Sequence, residues 1–415
     1  MEQIKEVTQK QRRNYYLLIA AVVSMQITAS TIYMVLPLFF GVYGITKTQN
    51  GILISVGTLA GVFSGLLAGK FSDNFGRKRI LVAGTAVYAV AFYLYAVLQK
   101  TYTVFLFLRF LEGVGFYVMP VLVAAMCADT FNKKEMGRMM GIFTMAGGIG
   151  QLVGPLLAPY LIHGTDYNLY FMFSGTFVLI CWFGLVFLVK DTLPPEKRAP
   201  LGTGGGFEVN KFIASLRRLG KPFGIFLLAI LLYRTGYTMI DPFFSIYLTE
   251  VLKMDLSSTS YIFALRAICT LTFAPVAGYM ADKWGRKPTF VVSMALVGVA
   301  LVSYTRMNNP NDIYIVRALD AIASVVVLNS IRTITADLLA PEVRGFGMGL
   351  YSTITSQSST MGAIFGGYVI DLMGYNMVFL AAAGTAVLSL FIVQLFIKEP
   401  RDAVVSTQAV APVAH

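Results

Sequence analysis

Charge is what this chain has least of. Only 13% of its 415 residues are Asp, Glu, Lys or Arg, while 56% are hydrophobic, with 31 Phe and 22 Tyr. A water-dissolved globular protein of that size cannot cover its surface with so few polar groups, so a soluble domain is excluded. Histidine is nearly missing: the chain has 2, His163 and His415, too few for a histidine-based metal or catalytic centre. Cys127, Cys181 and Cys269 lie in apolar runs without CxxC spacing, which argues against a disulfide framework and against a zinc site. A Walker-type phosphate loop is absent, since Gly69-Lys70 has neither the upstream Gly nor a following Ser or Thr. Gly148-Ile-Gly150 sits within an apolar run with no strand before it, so a dinucleotide-binding turn fails as well. No cofactor and no metal are expected.

What the chain has in quantity is long apolar runs, each able to cross roughly 30 Å of hydrocarbon with about 20 residues. Twelve are expected. They fall at approximately 15–40, 49–69, 80–98, 103–129, 139–163 and 168–190, then at 222–248, 257–279, 288–306, 311–338, 345–371 and 375–397. The basic start and the long first run, lacking a small-residue cleavage site, read as a retained span and not a signal peptide. About 24 of the 33 Lys and Arg residues fall on the side that holds both termini, which makes that side cytoplasmic. The net charge of +12 is then a matter of topology, and no nucleic-acid partner is implied. The expected location is a cell membrane, plasma or bacterial inner, with lipid as the surrounding partner.

The run from 191 to 221 is rich in Pro, Gly and charge and reads as a cytoplasmic linker. It separates an N-terminal six-helix bundle, 1–190, from a C-terminal one, 222–398, with a short tail over 399–415. The halves are copies. Arg109 and Glu112 recur 208 residues on as Arg317 and Asp320, and Ala128-Asp129 recurs as Ala336-Asp337. Gly69-Lys-Phe-Ser-Asp73-Asn-Phe-Gly76-Arg77-Lys78 recurs as Gly278-Tyr-Met-Ala-Asp282-Lys-Trp-Gly285-Arg286-Lys287. Ionisable residues inside a membrane are costly enough to read as functional by default, so a buried pair present twice points to a pathway.

The G-x-x-x-D-x-x-G-R-K loop after spans two and eight resembles the signature loop of the major facilitator superfamily, and the resemblance covers essentially the whole chain. It implies an all-α membrane fold of twelve transmembrane helices, a midplane site, and alternating access. In the loop, Gly69 and Gly278 are expected to end helices tightly, and Gly76 and Gly285 to take positive φ. Asp73 and Asp282 can meet Arg77, Arg286 or the next helix N-terminus, forming a gating latch with Lys78, Asp129 and Asp337. Arg77, Lys78 and Arg79 serving only topology is the alternative.

Arg109-Phe-Leu-Glu112-Gly113-Val-Gly115 resembles the span-four motif linked to proton transfer in related exporters. One helical turn separates the two charges, so they can pair. Either Glu112 or Asp320 could be the titrating group, and the residues do not rank them; a permanently ionised structural pair is the alternative. Gly141, Gly150, Gly154 and Pro155 resemble the span-five hinge motif of antiporters, with the departure that Ala158-Pro159 stands where Gly-Gly is expected.

Arg234 and Arg266 have no repeat partner. An arginine at bilayer centre costs about 2.5–3.5 kcal/mol on insertion scales, so both should face the interior. Arg234, Tyr237, Thr238, Asp241 and Ser245 are expected to form one polar face of span seven, as Gln26, Ser30, Tyr33 and Pro37 do on span one. Pairing of Arg234 with Asp241 is the alternative. The excess of midplane positive charge biases the site toward an anionic or polar small molecule. Exporters of lipophilic cations in the resembled family usually carry an acid in span one, and this span one has none.

The resulting expectation is a secondary active transporter and not an enzyme: a proton-coupled exporter, working as a monomer, with small-molecule substrate and protons as partners. Uptake or facilitated diffusion of an organic anion or sugar-like solute is the second reading. A membrane enzyme acting on lipid lacks a nucleophile or metal constellation. A non-transporting sensor would need a long soluble output segment, and the tail after Lys398 is short.

Overall fold

The computed structural model describes residues 9–194, 196, 198, 219–307 and 309–399. Most of the 191–221 linker and nearly all of the 399–415 tail lie outside the described residues. Helices dominate because a backbone in hydrocarbon must satisfy its own N–H and C=O groups. Span one is Gln9–Ser30 followed by Ile32–Val42, and spans two to six are Lys47–Phe75, Arg77–Val97, Tyr102–Thr130, Lys133–Leu161 and Asn168–Phe187. Span seven begins as Lys221–Thr238, and spans eight to ten are Leu256–Trp284, Arg286–Tyr304 and Asp312–Asp337. Spans eleven and twelve form one helical stretch, Arg344–Phe396, interrupted at Gly374 with φ 80° and ψ 178°. Among the described residues eleven stretches are long and apolar enough to cross a membrane, and the last holds two spans, which gives the twelve expected.

Spans one and seven are broken at equivalent positions. Span one breaks at Thr31, where the Thr28, Ser30 and Thr31 hydroxyls donate to the Met25, Ile27 and Thr28 carbonyls at 2.9, 3.0 and 2.7 Å. Such back-bonding bends helices. Span seven stops at Thr238 because Pro242 has no N–H to return to the Thr238 carbonyl. It resumes as the 3-10 turn Asp241–Phe243, the short helix Phe244–Ile246 and the π turn Tyr247–Val251. The equivalent span of each half buttresses its break: Ser30 Oγ donates to the Gly150 carbonyl at 3.2 Å, and Thr238 Oγ1 to the Ser358 carbonyl at 2.9 Å. The smallness of Gly154 and Gly362 permits this, since a Cβ at either would run into Ser30 or Thr238.

The signature loops depart from expectation at one point. Gly69 and Gly278 do not end helices; they lie inside Lys47–Phe75 and Leu256–Trp284. A glycine whose helical hydrogen bonds are intact weakens a helix without stopping it. The chain turns instead at Gly76 and Gly285, each with φ 98°, a conformation that side chains with a Cβ rarely adopt.

By contact the chain divides into two compact units. One holds spans one to six together with Met254–Ala267 at the start of span eight; the other holds the rest of spans seven to twelve. Leu256 and Phe263 pack on the apolar core of the first unit, which explains that grouping. Each unit contains the same aromatic box. Phe39 meets Tyr95, Tyr167 and Phe171 with ring centroids 6.1, 5.3 and 4.8 Å away. At the equivalent places Tyr247 meets Tyr375 and Phe379 at 5.6 and 4.9 Å, and Tyr304 meets Phe379 at 5.1 Å.

Candidate functional site

Among the described residues, each unit buries an ion pair. Arg109 and Glu112 are 5% and 2% exposed, and Arg317 and Asp320 are 2% exposed each. Arg109 Nη1 donates to Glu112 Oε2, and Arg317 Nη1 to Asp320 Oδ2 at 3.0 Å. Helical spacing sets both contacts, since residues three apart share a face. In each unit a tyrosine of the box donates to the carboxylate: Tyr95 to Glu112 Oε2 at 3.5 Å, and Tyr304 to Asp320 Oδ2 at 3.2 Å. Gly57 lets the arginine in, since a Cβ there would stand 2.5 Å from Arg109 Nη2, and Gly115 lets span three approach span four, since a Cβ there would stand 2.5 Å from the Tyr88 backbone nitrogen.

Beyond those shared contacts the pairs differ. Arg109 Nε donates to the Leu53 carbonyl at 3.2 Å. Arg317 instead lies over the Phe244 ring, 4.0 Å from its centroid. Asp320 also accepts from Tyr237, whose hydroxyl is 3.3 Å from both carboxylate oxygens.

That contact corrects the expected polar face of span seven. Tyr237 is 5% exposed and turned to Asp320. Because regular helix ends at Thr238, the helical period linking Arg234 to Asp241 and Ser245 does not continue; Asp241 opens a 3-10 turn and Ser245 is fully buried. Arg234 is partly buried, and its Nε is buried without a hydrogen-bond partner. In the first unit, Gln26 lies against Gly150 and Tyr33 is within electrostatic reach of Arg109. Arg266 is partly buried in the segment of span eight grouped with that unit. The span-five glycines also divide. Gly150 and Gly154 press on span one, whereas nothing lies within 4 Å of a Cβ built on Gly141. Pro155 sits within the uninterrupted helix Lys133–Leu161.

At the ends of spans two and eight the charges pair. Arg77 meets Asp73 at 2.6 Å and Asp129 at 3.2 Å, and Arg286 meets Asp337. Lys78 Nζ donates to the Val186 carbonyl at 2.6 Å, and Lys287 Nζ to the Gln394 carbonyl at 2.9 Å. The motif reading missed one component. Asp191 accepts from the Arg77 backbone N–H at 3.1 Å, and Glu399 accepts from the Arg286 and Lys287 N–H groups at 2.9 and 3.0 Å. Each carboxylate caps the helix that follows the glycine turn. The repeat offset that relates Asp191 to Glu399 was the available signal.

Two repeated sets of apolar helices, each burying an ion pair, define a multi-pass membrane protein of the transporter class. The Major Facilitator Superfamily model matches residues 17–230 and again 226–412, and the chain belongs to that family. It is therefore a transporter and not an enzyme. The chain is similar to "Multidrug resistance protein 2" of Bacillus subtilis (strain 168), 22% identical over 96% of this chain and 99% of the relative. Among solved structures it resembles the nucleoside transporter NupG, with TM-score 0.75 and 13% identity over 94% of this chain and 100% of that one. It also resembles the human organic anion transporter MFSD10 (TETRAN), with TM-score 0.67 and 18% identity over 92% and 99%. At these identities the structural likenesses speak for the fold.

Proposed function

We propose that the protein is a proton-coupled exporter of small organic solutes, working by alternating access as a monomer in a cell membrane, with both termini cytoplasmic. The observation that carries this reading is the ion pair buried in each unit, Arg109 with Glu112 and Arg317 with Asp320, at no more than 5% exposure. Ions in hydrocarbon are retained where they do work, and a carboxylate beside an arginine can exchange a proton as its access to water changes. The multidrug-resistance name of the Bacillus relative supports export. The Nε of Arg234, buried and unbonded, supports a preference for anionic or polar hydrogen-bonding solutes. In this reading Gln26, Tyr33 and Arg266 in the first unit, and Asp241 in the second, are each candidates for solute contact, while Arg77, Arg286 and their aspartates act as gates.

Purified protein in proteoliposomes tests it. A lumen-acid pH gradient is expected to drive accumulation of carboxyfluorescein, an impermeant organic anion. Accumulation only under the opposite gradient would establish symport and end the export reading. A transport profile confined to hydrophobic cations such as ethidium would end the anionic one.

A further inference from the structure

Span eleven carries a polar run, Tyr351-Ser-Thr-Ile-Thr-Ser-Gln-Ser-Ser-Thr360, that belongs to neither the buried ion pairs nor the signature loops. Hydroxyls of the run turn back on their own helix: Thr353, Thr355 and Ser359 donate to the Gly349, Ser352 and Thr355 carbonyls at 3.1, 2.9 and 3.1 Å. Ser352, Thr353 and Gln357 are exposed, and among the described residues the Ser352 and Ser356 hydroxyls and the Gln357 amide bond no protein group. Hydrocarbon does not tolerate a face of unbonded hydroxyls and amide, so this face borders water or a solute. The repeat separates packing from function here. Thr238 on span seven bonds the Ser358 carbonyl as Ser30 on span one bonds that of Gly150, so the packed face is the same in both copies. The exposed face is not: 208 residues earlier, Thr353 and Gln357 are Met145 and Ile149, 61% and 45% exposed, and Arg234 is Gln26. Packing therefore does not require polar side chains at these positions.

Arg234 lies one turn before Thr238, whose hydroxyl also reaches its carbonyl, and a Cβ on Gly362 would stand 2.5 Å from the Thr235 carbonyl. These contacts set the arginine level with residues 358–362, where the polar run ends. Its guanidinium forms no hydrogen bond or ion pair among the described residues. From Ser352 to Gln357 the helix rises about 7.5 Å, roughly the length of an extended six-carbon acid, and one turn further the face becomes apolar at Met361, 41% exposed. We infer that Arg234 and the Ser352–Gln357 face of span eleven form a binding site for a hydroxylated organic acid, with its carboxylate on the Arg234 guanidinium and its hydroxyls along Ser352, Ser356 and Gln357. This rests on the anionic-solute reading above and names the solute class. Hydroxyls and an amide both donate and accept, which suits a string of alcohol groups, while a guanidinium pairs with a carboxylate in its plane. An apolar acid of the same length would leave the serines and Gln357 unbonded, and an uncharged sugar would leave the arginine so; sites built to bond a group discriminate against a ligand that lacks it.

Melting of the purified full-length protein in detergent with gluconate, hexanoate or glucose at equal concentration tests this, since a binder raises the midpoint by mass action. The three probes share a six-carbon frame and differ in charge and hydroxyls. Gluconate should raise the melting temperature well above hexanoate or glucose. In Gln357→Leu the gluconate shift should fall to that of hexanoate, and in Arg234→Gln the half-saturating gluconate concentration should rise at least about tenfold, as loss of a charged hydrogen bond implies. Met145→Leu, at the repeat position of Thr353, should keep the wild-type shift. Should Gln357→Leu melt early without ligand, Ser356→Ala removes only a hydroxyl and should still reduce the gluconate shift. Equal shifts from gluconate and hexanoate in the wild type, an undiminished gluconate shift in both Gln357→Leu and Ser356→Ala, or a shift lost equally in Met145→Leu overturns the site. The two readings fail separately. Gluconate stabilisation that depends on Gln357, without movement of any anion under a pH gradient, ends the coupling and leaves the site standing. Carboxyfluorescein flux under a gradient, without preference for gluconate over hexanoate, does the reverse.

Discussion

At the scale of single residues, what decides a substitution is whether the space and the partners it needs exist. A Cβ added at Gly115 would stand 2.5 Å from the Tyr88 backbone nitrogen, where backbone and not a flexible tip must yield. Gly115→Ala is expected to destabilise the protein by about 1–3 kcal/mol, as overpacking does. Gly141→Ala meets nothing within 4 Å and should be neutral or slightly stabilising, since alanine favours helix. Melting of the two purified variants in detergent, side by side with wild type, checks the contrast. Arg234 presents the opposite case, a charge with a buried nitrogen left unbonded. Arg234→Gln should raise KM for an organic anion at least about tenfold, one lost charged hydrogen bond being worth roughly 1.5–3 kcal/mol. Arg234→Lys should recover only part of that, because an ammonium cannot reproduce the planar fork. An unchanged KM for carboxyfluorescein in Arg234→Gln would remove this residue from the solute site.

At the scale of elements, helix starts and breaks carry the information. Asp191 and Glu399 return from the ends of spans six and twelve to cap the helices beginning at Arg77 and Arg286. Loss of such a cap costs about 0.5–2 kcal/mol, so Asp191→Ala should lower the melting temperature and Glu399→Ala should do the same. Equal melting of both variants and wild type would show that these carboxylates are incidental. The apolar runs made the twelve spans and the six-plus-six repeat legible in the amino-acid sequence, because hydrocarbon thickness imposes length and composition directly. The Arg109–Glu112 and Arg317–Asp320 pairs were legible for a related reason: partners one helical turn apart are local. Tyr237 was not. Its partner is Asp320, distant in the chain, and the helical face assumed for it presumed a regular span seven that Pro242 interrupts. Gly69 and Gly278 misled in the same way, since a motif glycine marks a place where something is close or turned without saying which. The aromatic box around Phe39 and its copy around Tyr247 went unseen because no single position in it is unusual in a chain so rich in Phe and Tyr.

At the scale of the whole molecule, duplication supplies an internal control that a single site never offers. The signature loop, its glycine turn at φ 98°, the arginine paired to an aspartate of span four or ten, and the returning carboxylate cap all occur once in each half. A contact kept in both copies under different flanking residues is held by its own chemistry and not by its neighbourhood. Arg77 illustrates the functional consequence: it is shared between Asp73 at 2.6 Å and Asp129 at 3.2 Å, so either aspartate can hold it when the other withdraws. Partly exposed pairs of this kind contribute little to stability, typically about 0–1 kcal/mol, as the proposed gate would require of a contact that opens and closes. Asp73→Asn is therefore expected to leave expression and membrane insertion intact, since Arg77, Lys78 and Arg79, the basic residues by which such a loop is oriented, are unchanged. Transport should nonetheless fall severalfold, because the arginine then stays with Asp129 alone and one state is favoured over the other. Asp337→Asn should act in the same direction on the second copy, where Arg286 holds that carboxylate. Flux of carboxyfluorescein under a pH gradient, normalised to inserted protein, measures both variants, and normal flux in each would show that these charges serve topology alone.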